Sequence, residues 1–134
     1  MSQSAAFMYG STVIYSSTAV GSETGSAFLV VPSPDDDVRA DRFEMAVWAT
    51  QTITGSSTPL MDLTLQCSPD GTNWYDAAAW TQLTSSLLTK NECKVAAIQG
   101  RYVRVVRTAS GTIATYTGSV TLTANGKFRA TEVT

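Results

Sequence analysis

Apolar and polar residues alternate with period two along most of this chain, and that period belongs to half-buried β-strands. Over residues 42–52, Phe43, Met45, Val47 and Ala49 fall on one side, while Glu44, Ala46, Trp48 and Thr50 fall on the other. Over residues 61–67, Met61, Leu63, Leu65 and Cys67 alternate with Asp62, Thr64 and Gln66. Residues 101–108 put Val103 and Val105 on one side and Tyr102 and Arg104 on the other. Residues 116–124 turn Val120, Leu122 and Ala124 inward. Shorter runs predict further strands at 11–15 (STVIY), 93–98, and 27–31 (AFLVV), the last apolar throughout and so buried on both faces.

Turn signals separate these runs. Residues 16–26 are rich in Ser, Gly and Thr and read as a loop, and residues 32–41 (PSPDDDVRAD) read as a break. A turn at 55–59 (GSSTP) would make the strands on either side of it a hairpin. The SPDG of residues 68–71 is a tight turn, because Pro presets φ and Asp-Gly tolerates the positive φ that follows; Trp74 and Tyr75 open the return strand. Further turns are read at 99–100, at 109–112 (ASGT) and at Asn125 and Gly126, a hairpin-type dipeptide. Residues 77–89 carry no helical stripe and are read as irregular or strand. The expected fold is all-β, an antiparallel two-sheet β-sandwich, Ig-like or jelly-roll-like, with seven to nine short strands. Residues 1–10 are read as an N-terminal arm and residues 11–134 as a single domain.

The 134 residues are 43% hydrophobic and 15% charged. That charge fraction is below the usual ~25%, with Ser, Thr, Ala and Gly filling the difference on a strand-like surface. A net charge of −2 suggests no nucleic-acid partner. The charge is uneven: residues 1–86 carry two arginines against nine acids, a net of −7, and residues 87–134 carry seven Lys/Arg against two acids, a net of +5. Sheet pairing can mix these halves, or leave a bipolar surface for docking on a charged partner or on further copies. Cys67 and Cys93 lie in predicted strands without CxxC spacing and are read as buried free thiols. The first ten residues show no basic stretch and no long apolar run, and no segment reaches the apolar length of a membrane span, so the chain is expected to be made in a cytoplasm and to have no membrane partner.

The residues offer little chemistry. Without histidine the chain lacks the commonest general base and metal ligand, and no phosphate-cradling glycine loop is present. Asp35, Asp36, Asp37 and Asp41 do not follow the EF-hand spacing and read as a solvated loop before they read as a calcium site. Asp70 and Asp76 flank Trp74, as a glycosidase pair would flank a cleft, but Asp70 is explained as a turn former and Asp76 as a hairpin-end residue. No catalytic, cofactor-binding or metal-binding residue is assigned, and no enzyme activity or cofactor is expected. Trp48, Trp74, Tyr75, Trp80 and Tyr102 could pack at the core edge, anchor a protein interface or stack on sugars. Arg101, Arg104, Arg107, Lys127 and Arg129 form no single stripe, because Arg101 and Arg107 share one strand face and Arg104 takes the other. They read as ion-pair or docking residues.

The runs QCSPDGTNWYD at 66–76, RYVRVVRT at 101–108 and GTIATYTGSVTLTANG at 111–126 resemble small β-sandwich structural proteins of tailed-bacteriophage virions. The resemblance spans residues 60–126. It implies a non-enzymatic capsid decoration (cement) protein on the outside of the shell, binding the major capsid protein and itself, with a trimer favoured, and so located on the virion. Neck, tail or head-fibre components are the nearest alternative. The first two fragments also resemble discoidin-like carbohydrate-binding sandwiches, which implies a sugar-binding module instead.

Overall fold

The computed structural model describes residues 8–32, 42–99 and 101–133. Two long strands organise it. β4 (Arg42–Ser68) and β7 (Tyr102–Glu132) form one antiparallel ribbon, from Ala46 opposite Thr123 to Ser68 opposite Tyr102. The expected hairpin at 55–59 is not formed. The ladder shifts register three times between Thr54 and Leu60 and then continues in the same sense. Thr58 takes a φ of 39°, and Pro59 has no N–H to give a ladder. GSSTP therefore bends the ribbon without reversing it. Residues 109–112, opposite this bend, likewise stay within β7, as do Asn125 and Gly126. Three predicted turns are irregularities inside long strands, since bulges use the same small and turn-prone residues as chain reversals.

The remaining strands attach to this ribbon. β6 (Thr89–Gln99) lies against the first half of β4, and β1 (Met8–Ser17) lies on the far side of β7. β5 (Tyr75–Ala79) returns along the second half of β4, with Cys67 opposite Tyr75, so the SPDG hairpin is formed as expected. Gly71 has a φ of +78°, the left-handed turn conformation that favours glycine. β2 (Glu23–Thr24) pairs with Val106 and Arg107 of β7. β3 (Phe28–Pro32) takes partners from both ends of β7: Tyr102 and Val103, and then the stretch from Glu132 to Phe128. One strand bridging two ends of another curls the sheet. The result is an all-β, antiparallel, nearly barrel-shaped molecule, with no helix among the described residues.

The period-two pattern sorts the faces as expected. Met45, Val47, Ala49, Leu63, Leu65, Cys67, Val103, Val105, Val120 and Leu122 are all buried in one core cluster. A smaller cluster of Ile53, Met61, Leu83 and Tyr116 fills the bend. Removing a Leu or Ile side chain of this kind from water is worth about 1.5–3 kcal/mol. Both cysteines are free, but Cys93 is exposed and only Cys67 is buried. Cys93 pairs with Trp48 and so shares its outward face. Residues 1–7, the acids Asp35, Asp36, Asp37 and Asp41, and Gly100 lie outside the described residues.

Candidate interaction surface

The outward side chains of the sheet make two unlike patches. The first lies on the second half of the ribbon. Arg104 stacks its guanidinium 4.2 Å from the centroid of the Trp74 ring and donates from Nε to Gln66 Oε1 at 2.8 Å. Gln66 Nε2 in turn donates to Asp76 Oδ1 at 3.0 Å. The strands set this line: Gln66 is opposite Arg104 on one side and Asp76 on the other. Tyr102 is half-buried beside the Gly71 turn, and Tyr75 is 58% exposed. One face of Trp74 is thus already covered by a cation, and Asp76 is committed to Gln66.

Asp70 is equally committed. Its Oδ1 accepts from the backbone N–H groups of Thr72 and Asn73, each at 2.8 Å, and its Oδ2 accepts from Asn73 Nδ2 at 2.8 Å. Ser68 Oγ donates to the same carboxylate and accepts from the Gly71 N–H at 2.8 Å. These donors, led by the Asn73 N–H, hold the Asp70 carboxyl well below the usual carboxylate range. A group so held is a turn brace and a poor proton donor.

The second patch lies on the first half of the ribbon. Cross-strand pairing lines up Val13 of β1, Thr121 of β7, Trp48 of β4 and Cys93 of β6 in one row, with Ala46 and Val95 as the next pair beside it. Val13 is 56% exposed, Trp48 50% and Val95 72%. The aromatics weighed together in the sequence therefore part company. Trp48 belongs to this patch, Trp74, Tyr75 and Tyr102 lie near the other, and Trp80 is buried, donating Nε1–H to the Val47 carbonyl at 3.3 Å. Trp80 is held there by its own backbone N–H, which donates to the Leu63 carbonyl of β4 at 3.1 Å, an outcome that no periodicity announces.

Arg107 forms the ion pair expected of it, with Glu23, but does so from inside the molecule. Only 1% exposed, it points inward with Val103 and Val105. Its Nε and Nη2 donate to the Gly21 carbonyl at 3.0 and 2.6 Å, and its Nη1 donates to Tyr15 Oη at 2.7 Å and Ser17 Oγ at 3.0 Å. Glu23 Oε1 sits 3.2 Å from Nη1 and accepts from Tyr15 Oη at 2.8 Å. The Tyr116 ring lies 4.3 Å beneath the guanidinium, and the Tyr116 hydroxyl donates to buried Gln51 at 3.1 Å. Gly118 faces Gln51 and leaves room for that ring, since a Cβ there would strike the Tyr116 hydroxyl. Arg101, by contrast, is exposed; the side chains of Lys127 and Arg129 lie outside the described residues.

A cleft of about 370 Å³ opens above this network, lined by Val13, Tyr15, Glu23, Thr24, Phe28 and Glu132 among others. The Tyr15 hydrogen bond, first among several causes, lowers the Glu23 pKa, while burial raises that of Tyr15. Near neutral pH Glu23 therefore stays a carboxylate and Tyr15 a phenol, and neither is poised to exchange a proton. Their role is to tie residues 15–23 to β7. Among the described residues no cluster of three or more Cys, Asp or Glu is placed to hold a metal. No protein-family model matches the chain, and no curated protein matches it either.

Proposed function

We propose that this chain is a non-enzymatic structural protein that works by contact, and specifically a decoration protein on the outside of a tailed-phage capsid, bound to the major capsid protein and to its own copies. The observation that carries the reading is the row of Val13, Trp48 and Cys93 with Val95 beside it, exposed on one face of the sheet. Exposed apolar side chains gathered on one face mark interaction sites, and Trp is among the residues that dominate binding energy. The sequence resemblance supplies the capsid as partner. Many modest contacts repeated by symmetry would add up by avidity. The finer architecture we propose is a two-sheet sandwich, Ig-like or jelly-roll-like, its two layers being the halves of the β4–β7 ribbon on either side of the bend.

The test is stoichiometric. DNA-filled particles purified from cells making this chain should carry it in hundreds of copies, counted by quantitative mass spectrometry against the major capsid protein. A dozen copies or fewer would assign it to neck, tail or fibre. Particles without the chain would end the virion reading.

A further inference from the structure

Four strands are paired along one edge only among the described residues, β1, β2, β5 and β6, while β3 is paired twice by β7. Natural sheets blunt such edges by shortness, bulges or charge, because an unpaired strand edge invites another strand. β2 and β5 are two and five residues long. β1 is interrupted by two register shifts. β6 lacks the first two protections, since it runs eleven residues against β4 without one shift, and keeps only the third, in Lys90, Glu92 and Lys94. Its outward centre is apolar, with Val95 at 72% exposure next to exposed Cys93.

The charges on β6 complement themselves. Glu92 and Lys94 flank Cys93, with their side chains 3.7 Å apart. If two copies of β6 lie antiparallel about a two-fold axis at Cys93, Glu92 of each copy stands opposite Lys94 of the other, and Asn91 stands opposite Val95. Centring the axis on Glu92 instead would set Lys90 against Lys94 and Glu92 against itself. Glu92 is also fixed in place, accepting from Thr81 N at 2.7 Å and Thr81 Oγ1 at 3.0 Å. The same axis joins the two exposed rows into one band, with Trp48 and Cys93 of one copy continuing into Cys93 and Trp48 of the other.

We propose that β6 is the docking edge for a second copy of this chain, the two β6 strands pairing antiparallel about a two-fold axis at Cys93. This is a two-fold contact in place of the three-fold one implied by the resemblance. The pairing rests on the assembly reading above for its purpose, but it is testable on the isolated chain.

Residues directly opposite in an antiparallel pair have Cα atoms about 4.5–5.5 Å apart, within the range a disulfide spans. With diamide as the oxidant, Cys93 should therefore cross-link two chains, and Cys93→Ser should abolish the cross-linked species. In the Cys93→Ser background, Val95→Cys should cross-link far less, since Val95 faces Asn91 in this register. Light scattering of the full chain should give a dimer mass that Val95→Glu converts to monomer; Val95 is exposed, and an unchanged melting curve would show the fold retained. A monomer mass at every concentration, or cross-linking through position 95 in preference to 93, would overturn the pairing. A monomer found in many copies on particles would overturn the pairing and keep the assembly reading, and a β6-linked dimer absent from particles would do the reverse.

Discussion

Arg104 and Arg107 stand three residues apart on β7, and each stacks on an aromatic ring, at 4.2 and 4.3 Å. They belong to opposite worlds. Arg104 lies on the outer face with one hydrogen-bonded side-chain partner, Gln66. Arg107 is enclosed, with its Nε and both Nη atoms engaged by Gly21, Tyr15, Ser17 and Glu23. Similar ring geometry carries different weight in the two places. Water competes for Arg104, whereas Arg107 has given up water and depends on the groups around it.

The sharpest way to break the comparison is Arg107→Met, which strands buried groups. A loss of about 3 kcal/mol is expected, the upper end for unpaired polar groups, read from urea unfolding at unchanged m-value. Next is Gly118→Ala, which leaves Arg107 in place but pushes its stacking partner Tyr116 aside. Overpacking of this kind costs about 1–3 kcal/mol. Tyr116→Phe keeps the ring and removes only the bond to Gln51; leaving that buried amide oxygen unpaired should cost about 1–2 kcal/mol. Arg104→Ala should cost about 1 kcal/mol, as half-buried cation–π pairs do, and the change should appear chiefly as a shift in tryptophan emission as Trp74 loses its cover.

A pH titration separates the two regions in another way. Folding lowers the Glu23 pKa through the Tyr15 hydrogen bond, so its contribution is present above the ordinary carboxylate pKa. It fades as pH falls through the lowered value. Melting temperature should drop on acidification, and Glu23→Gln should make that drop shallower. The effect is small because Glu23 is partly solvated, and Asp70 and Glu92, also lowered, keep a residual slope.

Much of the fold was legible. Alternation identified Met45, Val47 and Ala49, and again Leu63 and Leu65, as core, because side chains of a strand point to opposite faces in turn. The SPDG turn was legible because its constraints are local. The bend at residues 55–59 was not, since Gly, Ser and Pro signal equally a reversal and a bulge; pairing with residues 110–115, far along the chain, decides between them. Arg107 shows the same limit. Its parity with Val103 and an ion-pairing role were legible, yet nothing in the sequence named its partners. What admits it to the interior is the Gly21 carbonyl and its neighbours, 86 positions away. The row of Val13, Trp48 and Cys93 was half legible: Trp48 was singled out, but its companions come from strands whose register only the folded sheet sets.

The 31-residue span of β7 has a consequence for how the chain is made. β1, β2, β3 and both halves of β4 have partners in β7, which follows them all in sequence. Ser17 must wait for Gly118, and Val30 for Ala130. At a synthesis rate of roughly 5–20 residues per second, those earlier strands spend seconds outside the ribosome without their partners. Among the described residues, the strand pairings that can form before then are those of β4 with β5 and β6. β7 acts as the zip of this sheet, and until it arrives the apolar faces of the strands before it stay open to chaperones, or to one another.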